Sequence, residues 1–354
     1  PAMPAAGLAA ALADLLLPDP GTLSYLSWLY YLYLPAITCL LLPYLVVLFL
    51  YFSLLWLQLW KWRHRLAESY QYSIWRGAIH TALGFWATFG RLWHGYEVSG
   101  LHRLPSNGPA LLIVYHGVFP LDVYFLVARL VLETDRQPFI VADNFLWKVP
   151  GFALLLRVMN VTPGTVETCA DALRQGRVVI IMPGGLREAL FADPFYSIEW
   201  SRRTGFARVA ISAGAPIYPV FTTNIREGIF CFRPGLGLLR RLYERTRLPL
   251  VITLGYFPVK LRTFIDRPLL PGPGEAPTKL ARRTQERMRR LIDSKQRLPG
   301  SVVCGLLMRL PALERWLSPA PAPPAAHESA AMAGDSMSED SAAANSPLTG
   351  SPAS

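Results

Sequence analysis

The chain has 354 residues, 52% of them hydrophobic, with a mean hydropathy of +0.28 and a formal net charge of +11. It is long enough for one large domain or two small ones, and it is too apolar for an ordinary soluble protein. All 35 basic but only 20 of the 24 acidic residues precede residue 317, so residues 1–316 carry a charge of +15. This balance indicates an anionic membrane surface or a phosphate-bearing ligand. Four cysteines without a CxxC pair indicate neither a metal site nor a disulfide framework, and are typical of a reducing compartment.

A long uncharged segment covers residues 23–60. A membrane span needs about 20 apolar residues, and two prolines, Pro35 and Pro43, interrupt this one. We predict either one span or a proline-kinked re-entrant hairpin. A cleaved signal peptide is disfavoured because the run is too long and lacks a basic start. The segment also makes a membrane a better partner than nucleic acid. Three cations follow it and predict a cytosolic end, so the body should face the cytosol: Lys61, Arg63 and Arg65.

The body alternates short apolar runs with longer amphipathic ones, which predicts an α/β fold with a central, mostly parallel sheet flanked by helices. The predicted strands lie in 110–115, 138–143, 178–183, 215–221 and 250–258. The predicted helices lie in 121–133, 150–159, 165–176, 203–214 and, amphipathic and basic, 278–296. We divide the chain into an N-terminal segment (1–22), a membrane segment (23–60), an amphipathic linker (61–94), a main domain (95–300), a short apolar helix (301–316) and a disordered tail (317–354).

The stretch LLIVYHGVFPLDVYFL, residues 111–126, places a His and an Asp at the end of a buried strand. Gly117 allows a turn after His116, and Pro120 suits the start of a helix. Asp122 then falls in the first helical turn, where the helix dipole favours an ionised carboxylate. An ionised Asp near His116 would fix its tautomer and leave the other ring nitrogen as a general base. This predicts acyl-transfer chemistry without a protein nucleophile, since no GxSxG elbow is present.

A second candidate site is IIMPGGLREALF, residues 180–191, where a strand runs into two glycines. Gly184 and Gly185 would let backbone N–H groups approach a ligand closely and receive an oxyanion or phosphate. Arg187 adds a bidentate cation. Glu188 is expected to pair with Arg187 or with a nearby arginine, Arg202 or Arg203. A third stretch, ADNFLWKVPGFALLL (142–156), is either core or the wall of an acyl-chain groove.

In this order, the motifs resemble the glycerolipid acyltransferases, in a branch close to the diacylglycerol acyltransferases. His116 and Asp122 look like the His–Asp motif of that family, and Arg187 matches the Arg of its third block, Pro–Glu–Gly–Thr–Arg. Here five residues separate the His and the Asp where the family usually has four, and Gly184 replaces the Glu of the third block. Because that block is thought to help hold the phosphate of the acceptor, its change favours a neutral glyceride.

The resemblance implies a membrane-bound O-acyltransferase that moves a fatty acyl group from acyl-CoA to a mono- or diacylglycerol hydroxyl, without a metal or cofactor. His116 is the expected base, Asp122 orients it, and N–H groups of Gly117, Gly184 or Gly185 hold the oxyanion. The expected location is the endoplasmic reticulum, from the resemblance and from the lack of a recognisable transit peptide. Two alternatives remain: a lysophospholipid or glycerol-phosphate acyltransferase, and a non-catalytic lipid-binding membrane protein.

Overall fold

The computed structural model describes residues 25–66, 69–231 and 253–319, and two further helical positions, 241 and 245. The predicted N-terminal segment, 1–22, and nearly all of the predicted tail, 317–354, lie outside these ranges.

A central sheet of seven strands organises the described residues, in the order β1-β9-β6-β2-β5-β3-β4. Every neighbouring pair is parallel except β6 and β9. The strands are β1 (Glu97–Ser99), β2 (Ala110–Val114), β3 (Phe139–Val141), β4 (Val161–Thr162), β5 (Val178–Ile181), β6 (Ile217–Thr223) and β9 (Arg262–Ile265). All residues of β2 and β6 are buried, as expected for central strands covered on both faces. The predicted α/β class with a mostly parallel sheet is confirmed.

Helices precede, cover and follow this sheet. Helix α1 is Tyr25–Arg63, α2 Tyr72–His94, α3 Leu121–Thr134, α4 Phe152–Val158, α5 Val166–Arg174, α6 Gly185–Phe191, α7 Gly205–Ala213, α8 Ile225–Gly228, α9 Pro277–Lys295, α10 Val302–Leu307 and α11 Pro311–Leu317. Short 3₁₀ turns occupy Leu101–Arg103 and Asn144–Lys148. The predicted linker contains α2, which buries one face against the core. The segment 301–316 holds two helices rather than one, since Pro311 begins a new helix.

One predicted strand lies elsewhere. Within 250–258 the described strand is β8 (Thr253–Gly255), which pairs antiparallel with β7 (Ile229–Cys231) in a separate ribbon. It ends where Gly255 and Tyr256 take positive φ values of 100° and 75°. The place beside β6 is taken by β9, a four-residue strand that the sequence pattern did not predict.

Helix α1 runs unbroken through Pro35 and Pro43. Its 39 residues correspond to about 58 Å, and over Tyr33–Arg63 it is long and apolar enough to cross a membrane, with a mean hydropathy of 2.3. Of the two predicted arrangements, the structure therefore has a single helix and not a hairpin. α1 packs antiparallel against α2, where Trp86 Nε1 donates to Ser53 Oγ at 3.0 Å.

Candidate active site

The candidate site lies at one edge of the central sheet. β2, β5 and β6 are parallel neighbours, so their carboxyl ends meet at this edge. His116 follows β2, the turn 182–184 follows β5, and Asn224 follows β6. In open α/β sheets, ligands bind outside the carboxyl ends of the strands. The topology thus brings together the two motifs that the sequence analysis identified separately.

His116 is buried, with 9% of its surface exposed. Its Nδ1 lies 2.6 Å from the carbonyl oxygen of Gly117, which can only accept a hydrogen bond. Nδ1 therefore carries the proton, and Nε2 keeps its lone pair. Burial lowers the pKa of His116 to about 4, and the positive charge of Arg226 acts in the same direction. The imidazole is neutral at physiological pH, as a general base has to be before it takes a proton.

Glu188 holds the backbone of His116 in place. The His116 amide donates to Glu188 Oε2 at 2.9 Å, and the Glu199 amide donates to Oε1 at 3.2 Å. The carboxyl is fully buried, which raises its pKa to about 7. These amides take the place of the expected ion pair with an arginine. Arg203 donates instead to the carbonyls of the glycine turn, those of Pro183 and Gly184, at 2.7 and 2.8 Å.

Among the described residues, the turn 182–185, which we call the glycine turn, has one glycine N–H without a hydrogen-bond acceptor, that of Gly184. The Gly185 N–H donates to Met182 O at 3.1 Å and so is already engaged. Within the described residues, the N–H groups of Gly117 and Gly184 donate no hydrogen bond. A Cβ atom on Gly184 would overlap Glu188 Oε2, and a Cβ atom on Gly117 would lie 2.5 Å from Ile225 Cγ1, closer than such atoms can approach. Close packing therefore requires glycine at both positions. Arg187 lies half-buried on α6.

Asp122 begins α3 as predicted, but the described hydrogen bonds do not connect its carboxyl with the His116 ring. The Thr222 hydroxyl and the amides of Asp122 and Val123 face the carboxyl and favour its charged form, while Oδ1 has no partner. Burial outweighs these contacts and raises the pKa of Asp122 to about 7. In this arrangement the Gly117 carbonyl, and not Asp122, sets the tautomer of His116.

A chain of three hydroxyl groups lies next to Asp122. Thr222 Oγ1 lies 2.8 Å from Thr263 Oγ1, which lies 2.8 Å from the Tyr96 hydroxyl. Tyr96 also approaches the Asp122 carbonyl at 3.5 Å. Thr222 lies in β6, Thr263 in β9 and Tyr96 directly before β1, so this chain of hydroxyl groups depends on the order of the strands in the sheet.

Arg226 is a further residue of the site that the sequence analysis missed. Its guanidinium donates to Glu188 O at 3.1 Å and to Ala192 O at 2.6 Å, which caps the end of α6. It also places a positive charge near His116. The mostly polar run TTNIR, residues 222–226, directly after the predicted strand 215–221, is the signal that would have pointed to Thr222 and Arg226. Within the described ranges, no group of three or more His, Cys, Asp or Glu side chains is placed to hold a metal ion.

Comparisons with known proteins agree with this site. A family model described as Acyltransferase matches residues 95–223, which include His116, Asp122 and the glycine turn. The human "DGAT1/2-independent enzyme synthesizing storage lipids" is 42% identical over 287 residues, covering 81% of this chain and 88% of that protein. The chain belongs to the acyltransferase family. The chain is also similar to phytyl ester synthase 1 of Arabidopsis thaliana, 28% identical over 42% of the chain and 22% of that protein.

A solved structure, the 1-acyl-sn-glycerophosphate (LPA) acyltransferase PlsC from Thermotoga maritima, is similar with a TM-score of 0.41 and 16% identity. The match covers 75% of this acyltransferase and 94% of that chain.

Proposed function

We propose that this acyltransferase moves a fatty acyl group from acyl-CoA to the hydroxyl of a mono- or diacylglycerol. The observation that carries the proposal is the neutral, buried His116, whose Nδ1–H is held by the Gly117 carbonyl at the mouth of β2. A base with its lone pair on Nε2 is what deprotonation of a lipid hydroxyl needs.

The proposed reaction is a direct transfer. His116 Nε2 takes the proton of the acceptor hydroxyl as the oxygen attacks the thioester carbonyl carbon. The resulting oxyanion is stabilised by the unengaged N–H groups of Gly117 and Gly184. The C–S bond then breaks, an ester forms, and the imidazolium returns its proton to the departing CoA thiolate. Ionised Asp122 stabilises the transient positive charge on His116.

A neutral acceptor is favoured by the packing of the glycine turn. Glu188 occupies the space that any side chain at position 184 would need, so this turn cannot carry the Glu of the phosphate-holding block. The name of the human relative, which concerns storage lipids, agrees with a neutral product. Arg187 is proposed to orient the turn or to hold a phosphate of CoA.

We further propose that α1 anchors the protein in the membrane of the endoplasmic reticulum, with the catalytic domain in the cytosol. The length and apolar composition of α1 support the anchor. The cations that end it, Lys61 and Arg63, support the orientation. Acyl-CoA would then reach the site from the cytosol, and the acylglycerol from the bilayer.

Transfer of labelled oleoyl-CoA tests the proposal, in membranes that carry the wild type, His116→Ala or the control His102→Ala. His102 is an exposed histidine on a surface turn. Diacylglycerol, monoacylglycerol and lysophosphatidate are offered in parallel. We expect label in neutral glycerides that disappears with His116→Ala and persists with His102→Ala. Label only in phosphatidate would establish the lysophospholipid alternative. The absence of any His116-dependent product would contradict the proposed reaction.

A further inference from the structure

The contacts between α1 and α2 show from which end of the domain α1 emerges. Phe49 packs against Phe85 and Phe89, with ring centroids 5.3 and 4.9 Å apart. Trp56 Nε1, later in α1, donates to the carbonyl oxygen of Ala78, which lies earlier in α2. The two helices are therefore antiparallel, and earlier residues of α1 lie beside later residues of α2. Upstream of about residue 42, α1 extends past the end of α2. Large apolar side chains there are exposed: Tyr30, Tyr33, Leu34, Ile37, Leu40 and Leu41.

The two C-terminal helices, α10 and α11, dock at this same end. Arg309, between them, donates to the carbonyls of Trp93 and Leu92 in the last turn of α2, at 2.5 and 3.1 Å. Asn224, beside the candidate active site, donates to Met308 Sδ at 3.5 Å. The end of the domain from which α1 emerges is thus also the sheet edge that holds the site.

The outer face of these helices is apolar, and none of the described residues covers it. Trp316 is 88% exposed, Leu92 70% and Val303 64%. We call this surface the C-terminal apolar face, and it consists of Leu92, Val303, Leu306, Leu307, Leu310, Leu313 and Trp316. Soluble surfaces rarely expose so many neighbouring apolar side chains without a partner.

The charges around this face suit anionic lipid headgroups. Arg91, Arg309 and Arg315 are exposed near its border. The one acidic residue of α10 and α11, Glu314, is turned inward and pairs with Arg262 at 2.8 Å. Exposed leucines with Trp and Arg at their margin are the composition of a helix that lies in a membrane interface.

We propose that the C-terminal apolar face rests on the bilayer that α1 enters, and so holds the sheet edge with His116 against the membrane surface. This inference rests on the proposed membrane placement of α1. It assigns to α10 and α11 the role of an interfacial contact, distinct from a span. A lipid acceptor would then move only laterally from the bilayer to His116.

Depth-dependent fluorescence quenching tests the contact. In full-length protein carrying Cys39→Ser and Cys304→Ser, an environment-sensitive fluorophore is attached at Leu310→Cys or Trp316→Cys. The control is Arg282→Cys, whose side chain is 74% exposed. Arg282 lies near the first residue of α9, whereas Gln296, directly after the last residue of α9, contacts Asn224 beside the candidate active site. The protein is reconstituted in vesicles of phosphatidylcholine and phosphatidylserine. Nitroxide-labelled lipids quench from the bilayer, and iodide quenches from water.

We expect nitroxide lipids to quench the labels at 310 and 316 several-fold more than the label at 282, with iodide showing the reverse order. Equal iodide quenching at all three sites would overturn the proposal. Protection from both quenchers would also overturn it, because protein would then cover the face. The His116→Ala protein should give the same quenching, so a failure of the proposed reaction is separable from a failure of the membrane contact.

Activity gives a second readout. The double variant Leu310→Glu, Leu313→Glu should lose most of its transfer to acceptor in vesicles and keep it with acceptor in detergent micelles. Equal activity of this variant and the wild type on vesicles would count against the contact.

Discussion

Substitution of Thr222 by Val tests how the protonation of Asp122 is controlled. Val has nearly the shape of Thr but lacks the hydroxyl that faces the Asp122 carboxyl and lies 2.8 Å from Thr263 Oγ1. Asp122 Oδ1 has no hydrogen-bond partner, and Thr222 is the one side chain among the described residues that favours the charged form of this carboxyl. We expect the pKa of Asp122 to rise above its present value of about 7.

The Thr222 hydroxyl can donate to the ionised carboxylate, and the size of the effect follows from such a hydrogen bond. A hydrogen bond to a charged group contributes about 1.5–3 kcal/mol. At 1.36 kcal/mol per pKa unit, its loss raises the pKa of Asp122 by about one to two units. At pH 7.5 the ionised fraction then falls from about three quarters to about a quarter or less. If ionised Asp122 supports the imidazolium, transfer at pH 7.5 falls about 3-fold to 25-fold and recovers at higher pH.

The assay is the pH profile of acyl transfer from labelled oleoyl-CoA. Thr222→Ser keeps the hydroxyl and should keep the wild-type profile. Thr223→Val is the matched control, because among the described residues the Thr223 hydroxyl forms hydrogen bonds with the Arg262 backbone, at 3.3 Å. An unchanged acid limb in Thr222→Val, or an equal shift in Thr223→Val, would refute the link between Thr222 and Asp122.

Three further predictions concern the same edge of the sheet. Transfer should rise with pH as Asp122 ionises, with a pKa of about 7, and Asp122→Asn should remove this rise from the pH profile. The pKa of His116, about 4, lies below that range and does not contribute to the rise. Burial raises the pKa of Glu188 from 4.5 to about 7, so its contribution to stability is fully present below about pH 4.5 and is lost as the pH rises through 7. Glu188→Gln should therefore remove a pH dependence of about 3 kcal/mol from the unfolding free energy, and equal slopes in wild type and variant between pH 5 and pH 7 would contradict this. Gly184→Ala should abolish transfer because its Cβ would overlap Glu188, whereas Gly205→Ala, in open space, should leave both stability and transfer close to wild type.

The class of fold and the chemistry-bearing motifs could be predicted from the sequence alone. Continuous apolar runs such as 110–115 and 178–183 can only be buried strands or helices, and their alternation with amphipathic runs requires a layered α/β sheet. The spacing from His116 to Asp122 across a Gly and a Pro places both at a strand end. These are local properties, so the chain alone carries them.

The groups that these residues contact follow from the folded structure and could not be predicted from the sequence. The tautomer of His116 depends on the Gly117 carbonyl. The position of the His116 backbone depends on Glu188, which accepts from its amide and lies 72 residues away along the chain. The environment of Asp122 depends on Thr222, which β6 places beside β2. Hydrogen-bond partners across strands follow from strand order and register, and a strand as short as β9 carries too little pattern to predict either. For the same reason, the sequence predicted an ion pair for Glu188, whereas the folded chain surrounds this carboxyl with backbone amides.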